Sequence, residues 1–180
     1  MLNGCRYCIA SHTGLLKGVY NFSDEEFVEL AAVVGHVNGL SFLEKATFSE
    51  LFEVPNSSNE TLREVEKELG YVPNFFRLVA NDPKLLSIIW EREKVTMLDG
   101  RIERWIKELV ALCISLSNSC YENATLRMNN LKKLNISKDA ILEGLWVAER
   151  FEKNTKITEG LLLETSPDEL HVIKNRNDQL

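Results

Sequence analysis

Apolar residues recur at three- and four-residue spacing along most of this chain, which places them on one face of an α-helix. No segment shows the strict alternation of apolar and polar residues that indicates a half-buried strand. The pattern therefore predicts an all-α protein. The predicted helices cover residues 5–20, 24–38, 40–53, 61–69, a short segment that begins near Pro73, 82–98, 101–118, 120–134 and 137–151.

Local capping signals set several of these boundaries. Ser23-Asp24-Glu25-Glu26 is a capping box, in which the Ser23 hydroxyl accepts from the backbone amide of Glu26 while the Glu26 side chain reaches back. Gly70 is placed to end one helix, and Asp82-Pro83 to begin another. These signals predict the helix ends independently of the apolar pattern.

A polar segment that contains proline, residues 54–59, interrupts the helical pattern. We expect it to separate two modules. Residues 1–54 are predicted to form an N-terminal helical segment and residues 55–164 a second helical module. Residues 165–180 are predicted to be a polar tail.

The segment 101–118 has a strong amphipathic pattern, and its apolar residues at helical spacing predict the face that is buried. That face is expected to carry Ile102, Trp105, Ile106, Leu109, Leu112, Cys113 and Leu116. Cys113 is therefore interpreted as an inert packing residue.

Composition and charge narrow the classes of function. Hydrophobic residues make up 44% of the 180 positions, which is enough to bury a core and excludes a disordered protein. The formal net charge of −6 argues against nucleic acid and anionic membranes as partners, because both are polyanions. The longest apolar stretches, such as 109–116, are shorter than the ~20 residues of a membrane span, and no signal sequence follows Met1. The expected location is the cytoplasm, where the four cysteines would normally be reduced.

Residues 5–34 resemble residues 120–148, which predicts a degenerate internal repeat. The matching pairs are Cys5 with Cys120, Leu16 with Leu131, Lys17 with Lys132 and, after a one-residue gap, Asn21 with Asn135, Ser23 with Ser137 and Glu29 with Glu143. In this register Cys8 corresponds to Asn123 and His12 to Arg127. The first copy alone would then carry reactive side chains.

Those reactive side chains are Cys5, Cys8 and His12, which lie on one face of the first predicted helix. Cysteine Cα atoms three positions apart on a helix are ~5 to 6 Å apart, which is within the range that a disulfide bridges. The positive end of the helix dipole stabilises a thiolate near the N-terminus. An imidazole one turn further on can take the proton of a thiol. The arrangement favours thiol–disulfide chemistry.

Two other interpretations of these residues remain open. The cysteines could be small buried apolar residues and His12 a surface histidine. Alternatively, Cys5, Cys8 and His12 could bind zinc with a fourth ligand such as His36, although structural zinc sites usually have two ligand pairs and only one is present. His36 itself follows Val33-Val34-Gly35 and is interpreted as a core or interface histidine with its hydrogen bonds satisfied.

The segment Asn3-Gly4-Cys5-Arg6-Tyr7-Cys8-Ile9-Ala10-Ser11-His12 resembles the active-site segment of the AhpD-like, or carboxymuconolactone decarboxylase, superfamily, in particular its peroxidase-related branch. Gly70-Tyr71-Val72-Pro73-Asn74-Phe75-Phe76-Arg77, Pro83 and Glu108-Leu109-Val110-Ala111-Leu112 are similar to the stretch that precedes the redox motif in that branch. Together the similar segments cover most of the chain up to about residue 151.

The resemblance implies an AhpD-like helical bundle that assembles into trimers or hexamers and reduces alkyl hydroperoxides or hydrogen peroxide. It implies that Cys8 attacks the peroxide, Cys5 condenses with the resulting sulfenic acid and His12 moves the proton. From the residues alone, the helix dipole favours Cys5 as the more acidic thiol and proximity to His12 favours Cys8; we favour Cys8. No metal or organic cofactor is expected, and the expected partners are a small-molecule peroxide and an external dithiol or thioredoxin-like reductant. A non-catalytic oligomeric scaffold or binding module is the alternative.

The sequence departs from the family pattern in two places. The family has a relay Glu 12 residues before the first motif cysteine, whereas Met1 lies only four residues before Cys5, so we expect that Glu and its helix to be missing upstream. In the second copy the same spacing joins Glu108 to Cys120, but Asn123 and Arg127 replace the second cysteine and the histidine. Neither copy therefore contains the complete set.

Overall fold

The computed structural model describes residues 6–47 and 59–160, and within these ranges every regular element is an α-helix. The all-α prediction is confirmed for this part of the chain. The eight helices are α1 (Arg6–Gly18), α2 (Asp24–Thr47), α3 (Glu60–Leu69), α4 (Asn74–Val79), α5 (Pro83–Thr96), α6 (Arg104–Ser117), α7 (Tyr121–Lys133) and α8 (Lys138–Gly160).

The chain divides into two compact units. One comprises the described residues up to Val28 together with those from Leu142, and the other is Glu29–Ile141. The predicted module boundaries at 54/55 and 164/165 lie outside the described residues and stay predictions.

The unit Glu29–Ile141 contains two clusters of buried apolar side chains. The larger one surrounds Trp90 of α5 and includes Leu40, Leu62, Val65, Phe75, Phe76, Val79, Ala80, Leu86 and Leu126. The second consists of Val33, Val37, Met97, Ala111 and Ile114. Removing these side chains from water is the main favourable contribution to folding of the unit.

Helix α2 is continuous where the sequence predicted two helices, 24–38 and 40–53. Gly39 lies inside it, and because glycine only lowers helix propensity, packing of the flanking turns is enough to keep the helix intact. By length and mean hydropathy alone, α2 is long and apolar enough to cross a bilayer, although its longest uninterrupted apolar stretch is much shorter than a membrane span. Its buried residues include three polar ones, His36, Ser41 and Glu44.

The buried face of α6 matches the predicted one only in part: Ile102, just before the helix, and Leu112 are buried as expected, but the other buried residues differ. Its buried residues include Lys107 and Glu108 as well as Ala111 and Leu112, whereas Leu116 is exposed. The apolar pattern misplaced this face because Lys107 and Glu108 have partners inside the protein. The Lys107 ammonium donates to the Leu98 carbonyl at 2.7 Å and lies 3.0 Å from the Glu29 carboxylate.

The turns before α2 and α8 have the same local structure. Asn21 and Asn135 both adopt positive φ, 53° and 59°, a conformation that asparagine tolerates better than most residues. Two residues later, the hydroxyls of Ser23 and Ser137 both accept a backbone amide of the helix that follows, each at 3.2 Å. The preceding helices, α1 and α7, are each 13 residues long.

Candidate functional site

The first turn of α1 carries Cys8, which is partly buried and disulfide-bonded. Cys113 and Cys120 are free thiols. Cys5 lies outside the described residues, so its predicted role stays a prediction. Cys8 therefore lies in the first turn of a helix, where the helix dipole stabilises a thiolate, with a histidine one turn later.

His12 lies one turn after Cys8 and is partly buried. Its ring nitrogen Nδ1 is 2.6 Å from the backbone carbonyl oxygen of Cys8. Because a carbonyl only accepts hydrogen bonds, Nδ1 must carry the proton, and in the neutral ring Nε2 then has the free lone pair. The ring also packs edge-on against Phe151 of α8, with centroids 4.6 Å apart. These two contacts fix the orientation of the imidazole.

Thr155, one turn after Phe151 on α8, is a third member of this site that the sequence analysis missed. Its hydroxyl lies 3.8 Å from the Cys8 sulfur and donates to the Phe151 carbonyl at 2.9 Å. The side chain is 6% exposed. No local pattern marks Thr155 in the sequence, because its contact with Cys8 joins residues 147 positions apart.

A second polar cluster lies within the unit Glu29–Ile141. The Arg127 guanidinium makes a two-pronged contact with the Glu93 carboxylate, at 2.6 and 2.9 Å, and one of its nitrogens lies 3.5 Å from Glu108. Nε2 of His36 is 2.6 Å from the same Glu93 carboxylate. The interpretation of His36 as a core histidine with a partner is confirmed.

Asparagine side chains complete this cluster. Asn123 Oδ1 accepts from Nε of Arg127 at 3.2 Å, and Asn130 Nδ2 donates to Glu108 at 2.9 Å. Arg127, Glu108 and Asn123 are fully buried, and Glu93 and Asn130 are nearly so. Buried charges are tolerated only when they are paired and hydrogen-bonded, as they are here.

The two buried carboxyls of this cluster have opposite pKa shifts. Burial acts to raise the pKa of Glu93, but Arg127 and His36 together lower it well below the ordinary range. For Glu108, burial outweighs the attraction of the more distant Arg127 and raises the pKa. Glu93 is therefore the stable anion that balances Arg127, and Glu108 is the carboxyl that binds a proton more readily.

The N-terminus of α7 carries Cys120, the counterpart of Cys5 in the predicted repeat. The Glu44 carboxylate accepts the backbone amides of Glu122 and Asn123 there, at 2.9 and 2.8 Å. Burial raises the pKa of Cys120, and the Glu44 carboxylate adds to the rise although the Ser41 side chain opposes it. Burial also raises the pKa of Cys113. Both thiols are therefore poor nucleophiles near neutral pH.

The alternative interpretation, a zinc site, gains no support from residues 6–47 and 59–160. None of them forms a group of three or more histidine, cysteine, aspartate or glutamate side chains that could hold a metal ion. Nε2 of His36, the suggested fourth ligand, lies against Glu93. Cys8 is disulfide-bonded, whereas zinc binds the thiolate form of cysteine.

The described side chains thus form two groups of different character. The first group contains the partly buried Cys8, whose backbone carbonyl contacts His12 and whose sulfur contacts Thr155. Arg127 and Glu93 belong to a closed network of buried charges. Comparison with known proteins adds no relative, since no protein-family model, no curated protein and no solved structure matches the chain.

Proposed function

We propose that this protein is a thiol–disulfide oxidoreductase of the peroxidase type, which reduces alkyl hydroperoxides or hydrogen peroxide through Cys8 and Cys5. The observation that carries the proposal is that Cys8 is disulfide-bonded in the first turn of α1, with an oriented imidazole one turn away. A disulfide at this position is the oxidised half of the proposed cycle.

The proposed cycle balances atoms and electrons. The Cys8 thiolate attacks one peroxide oxygen, the O–O bond breaks, and the products are a Cys8 sulfenic acid and an alkoxide or hydroxide that takes a proton. The Cys5 thiol then attacks the sulfenic sulfur, which forms the disulfide and releases water. An external dithiol or thioredoxin-like reductant supplies two electrons and two protons to restore both thiols.

His12 is the proposed proton carrier of this cycle. Because Nδ1–H donates to the Cys8 carbonyl, Nε2 is available to accept the thiol proton and later to give it to the leaving oxygen. Glutamine at this position can still form hydrogen bonds but cannot act as a base. We expect His12→Gln to lower the turnover number about 100-fold or more.

The test is hydroperoxide consumption by the purified protein with a dithiol in excess. Cys8→Ser is expected to abolish turnover, since serine forms neither a sulfenic acid nor a disulfide. Cys113→Ser is the matched control, because it removes a free and partly buried thiol outside the motif. Equal turnover by the wild type and the Cys8→Ser variant would refute the proposal.

The same proposal includes membership of the AhpD-like superfamily and a degenerate internal repeat. Support for the repeat comes from the turns before α2 and α8, where Asn21 and Asn135 share positive φ and Ser23 and Ser137 share the capping role. The pairs are the ones that the sequence alignment matched, 114 positions apart in both cases.

We also propose that the protein works in the cytoplasm as a homo-oligomer, a trimer or hexamer. Large apolar side chains on α2 and α8 support assembly, because Phe42 is 75% and Trp146 is 79% exposed in the single chain. A subunit interface would remove such side chains from water. Size-exclusion chromatography with light scattering tests this, and a monomer at micromolar concentration would refute it.

The second candidate function is a non-catalytic scaffold or binding module. It is favoured by the cluster around Arg127, in which Glu108, a carboxyl with the family's relay spacing to Cys120, is fully buried among structural partners. If the folded wild type consumes no peroxide with any dithiol, this candidate replaces the first.

A further inference from the structure

The contact between Thr155 and Cys8 joins two helices through one hydroxyl. Cys8 and His12 lie one turn apart on α1, and Thr155 and Phe151 lie one turn apart on α8. The Thr155 hydroxyl reaches the Cys8 sulfur and the His12 ring packs on Phe151, so each residue of one pair touches a residue of the other.

The Thr155 hydroxyl has one proton and two acceptors within reach. The Phe151 carbonyl at 2.9 Å is the usual acceptor of a helical threonine, four residues before it. The Cys8 sulfur at 3.8 Å is the second acceptor. A neutral disulfide sulfur accepts weakly, so in the oxidised protein the proton stays on the carbonyl.

Reduction changes this balance, because a thiolate is an anion. Hydrogen bonds to charged acceptors are roughly twice as strong as those between neutral groups. Rotation of the hydroxyl by one staggered position turns its proton from the carbonyl towards the sulfur and needs no movement of the helix. Since Thr155 is 6% exposed, water competes little for this hydrogen bond.

We propose that the Thr155 hydroxyl donates to the Cys8 thiolate and thereby makes Cys8 the attacking sulfur in oxidation and the leaving sulfur in reduction. This inference rests on the proposed thiol–disulfide function and deepens it, because it names a side chain that makes the two motif cysteines differ. On reduction, a thiolate of the reductant attacks Cys5 and forms a mixed disulfide with it. Cys8 leaves with the electron pair of the broken S–S bond and accepts the Thr155 proton in a hydrogen bond.

Several other titratable residues lie near this contact, and a test must leave them unsubstituted. On α1, the titratable residue His12 contacts both Cys8 and Phe151 of α8. On α8, the titratable residues within one turn of Thr155 are Glu152, Lys153, Lys156 and Glu159. Substitutions at Thr155 leave all five in place.

The test measures the reactivity of Cys8 in the full-length Cys5→Ser protein, which cannot form the motif disulfide. Iodoacetamide alkylation of Cys8 is followed by mass spectrometry of the tryptic fragment 7–17 across a range of pH. Thr155→Val replaces the hydroxyl by a methyl group of the same shape. We expect it to slow alkylation about tenfold at neutral pH and to move the midpoint of the pH profile up by about one unit.

Three further variants separate hydrogen bonding from structure. Thr155→Ser keeps the hydroxyl and is expected to react within about twofold of the parent, whereas Thr155→Ala removes the hydroxyl and is expected to follow the valine variant. Thr125→Val is the matched control, because Thr125 donates to the Tyr121 carbonyl at 2.8 Å in the same helical geometry on α7. Thr125→Val should leave the pH profile of Cys8 alkylation unchanged.

An unchanged pH profile in Thr155→Val, or the same shift in the serine and valine variants, would overturn this inference. Neither result would refute the peroxidase proposal, because no peroxide enters the assay. Conversely, the expected shift of the alkylation pH profile, found together with no consumption of peroxide, would support the role of Thr155 and refute the peroxidase proposal.

Discussion

Arg127→Met is the substitution that we expect to destabilise the protein most. Methionine fills much of the volume of arginine with an unbranched apolar chain but carries no charge. Without the guanidinium, Glu93 loses two hydrogen bonds of 2.6 and 2.9 Å while it stays 95% buried. Removing one partner of a buried ion pair leaves a charge that is neither solvated nor paired. The expected loss in the free energy of unfolding is about 3–5 kcal/mol at neutral pH.

The pH dependence of this loss has a defined sign. In the wild type, Arg127 and His36 overcome the effect of burial and hold the pKa of Glu93 well below its ordinary value. Glu93 therefore contributes stability that is present above its unfolded pKa and is lost as the pH falls through its folded pKa. In the variant, burial without Arg127 acts to raise that pKa, so protonation relieves the unpaired charge. The difference between wild type and variant should shrink as the pH falls from about 7 to about 5.

Urea unfolding at several pH values measures both effects, with the free energy obtained by linear extrapolation. Lys94→Met is the control, because Lys94 pairs with Glu64 and Glu91 on the surface of α3 and α5. Exposed ion pairs contribute little to stability, so Lys94→Met should lower the free energy of unfolding by only a small fraction of the loss in Arg127→Met. A loss below about 1 kcal/mol in Arg127→Met, or one that does not change with pH, would refute the reasoning.

Three more predictions concern stability. Burial raises the folded pKa of Glu108, so Glu108 costs stability as the pH rises above its ordinary pKa of 4.5. Glu108→Gln should therefore gain stability relative to the wild type as the pH is raised from there to neutral in urea unfolding, and a large loss would contradict this. Although burial opposes it, hydrogen bonds from the amides of Arg101 and Ile102 and from Lys107 lower the pKa of Glu29 to about 2. The stability advantage of the wild type over Glu29→Gln should therefore be present at neutral pH and decline as the pH falls from about 4.5 towards about 2, and a constant advantage would argue against it. Gly70 ends α3 with φ of 87° and has open space around it, so Gly70→Ala should cost about 1 kcal/mol in thermal unfolding, and no loss would show that the left-handed conformation is not required.

Local signals predicted most of the helices. The capping box at Ser23, the left-handed Gly70 and the Asp82-Pro83 start act through neighbouring backbone groups, and the structure has helix boundaries at each. The continuity of α2 was missed because the effect of a helical glycine depends on the packing of distant turns. The residues of a single helix do not show how that helix packs against distant parts of the chain.

The candidate site was only partly predictable, for a physical reason. Cys8 and His12 are four residues apart, so helical periodicity alone brings them together. Thr155 and Cys8, or Arg127 and Glu93, meet only when the chain is folded, and nothing near them in sequence indicates the contact. Lys107 and Glu108 misled the amphipathic analysis of α6 because charged residues are assumed to face water unless a buried partner is known.

The most direct test of the account is the mass of the purified protein after alternate treatment with a dithiol and a hydroperoxide. Trypsin cleaves after Arg6 and Lys17, which places Cys5 in fragment 1–6 and Cys8 in fragment 7–17. We predict a reversible loss of about two daltons on oxidation, from the two thiol hydrogens, with these two fragments linked until a dithiol is added. Oxidation confined to the fragment that holds Cys113 and Cys120, or no loss of mass with peroxide in excess, would contradict the account.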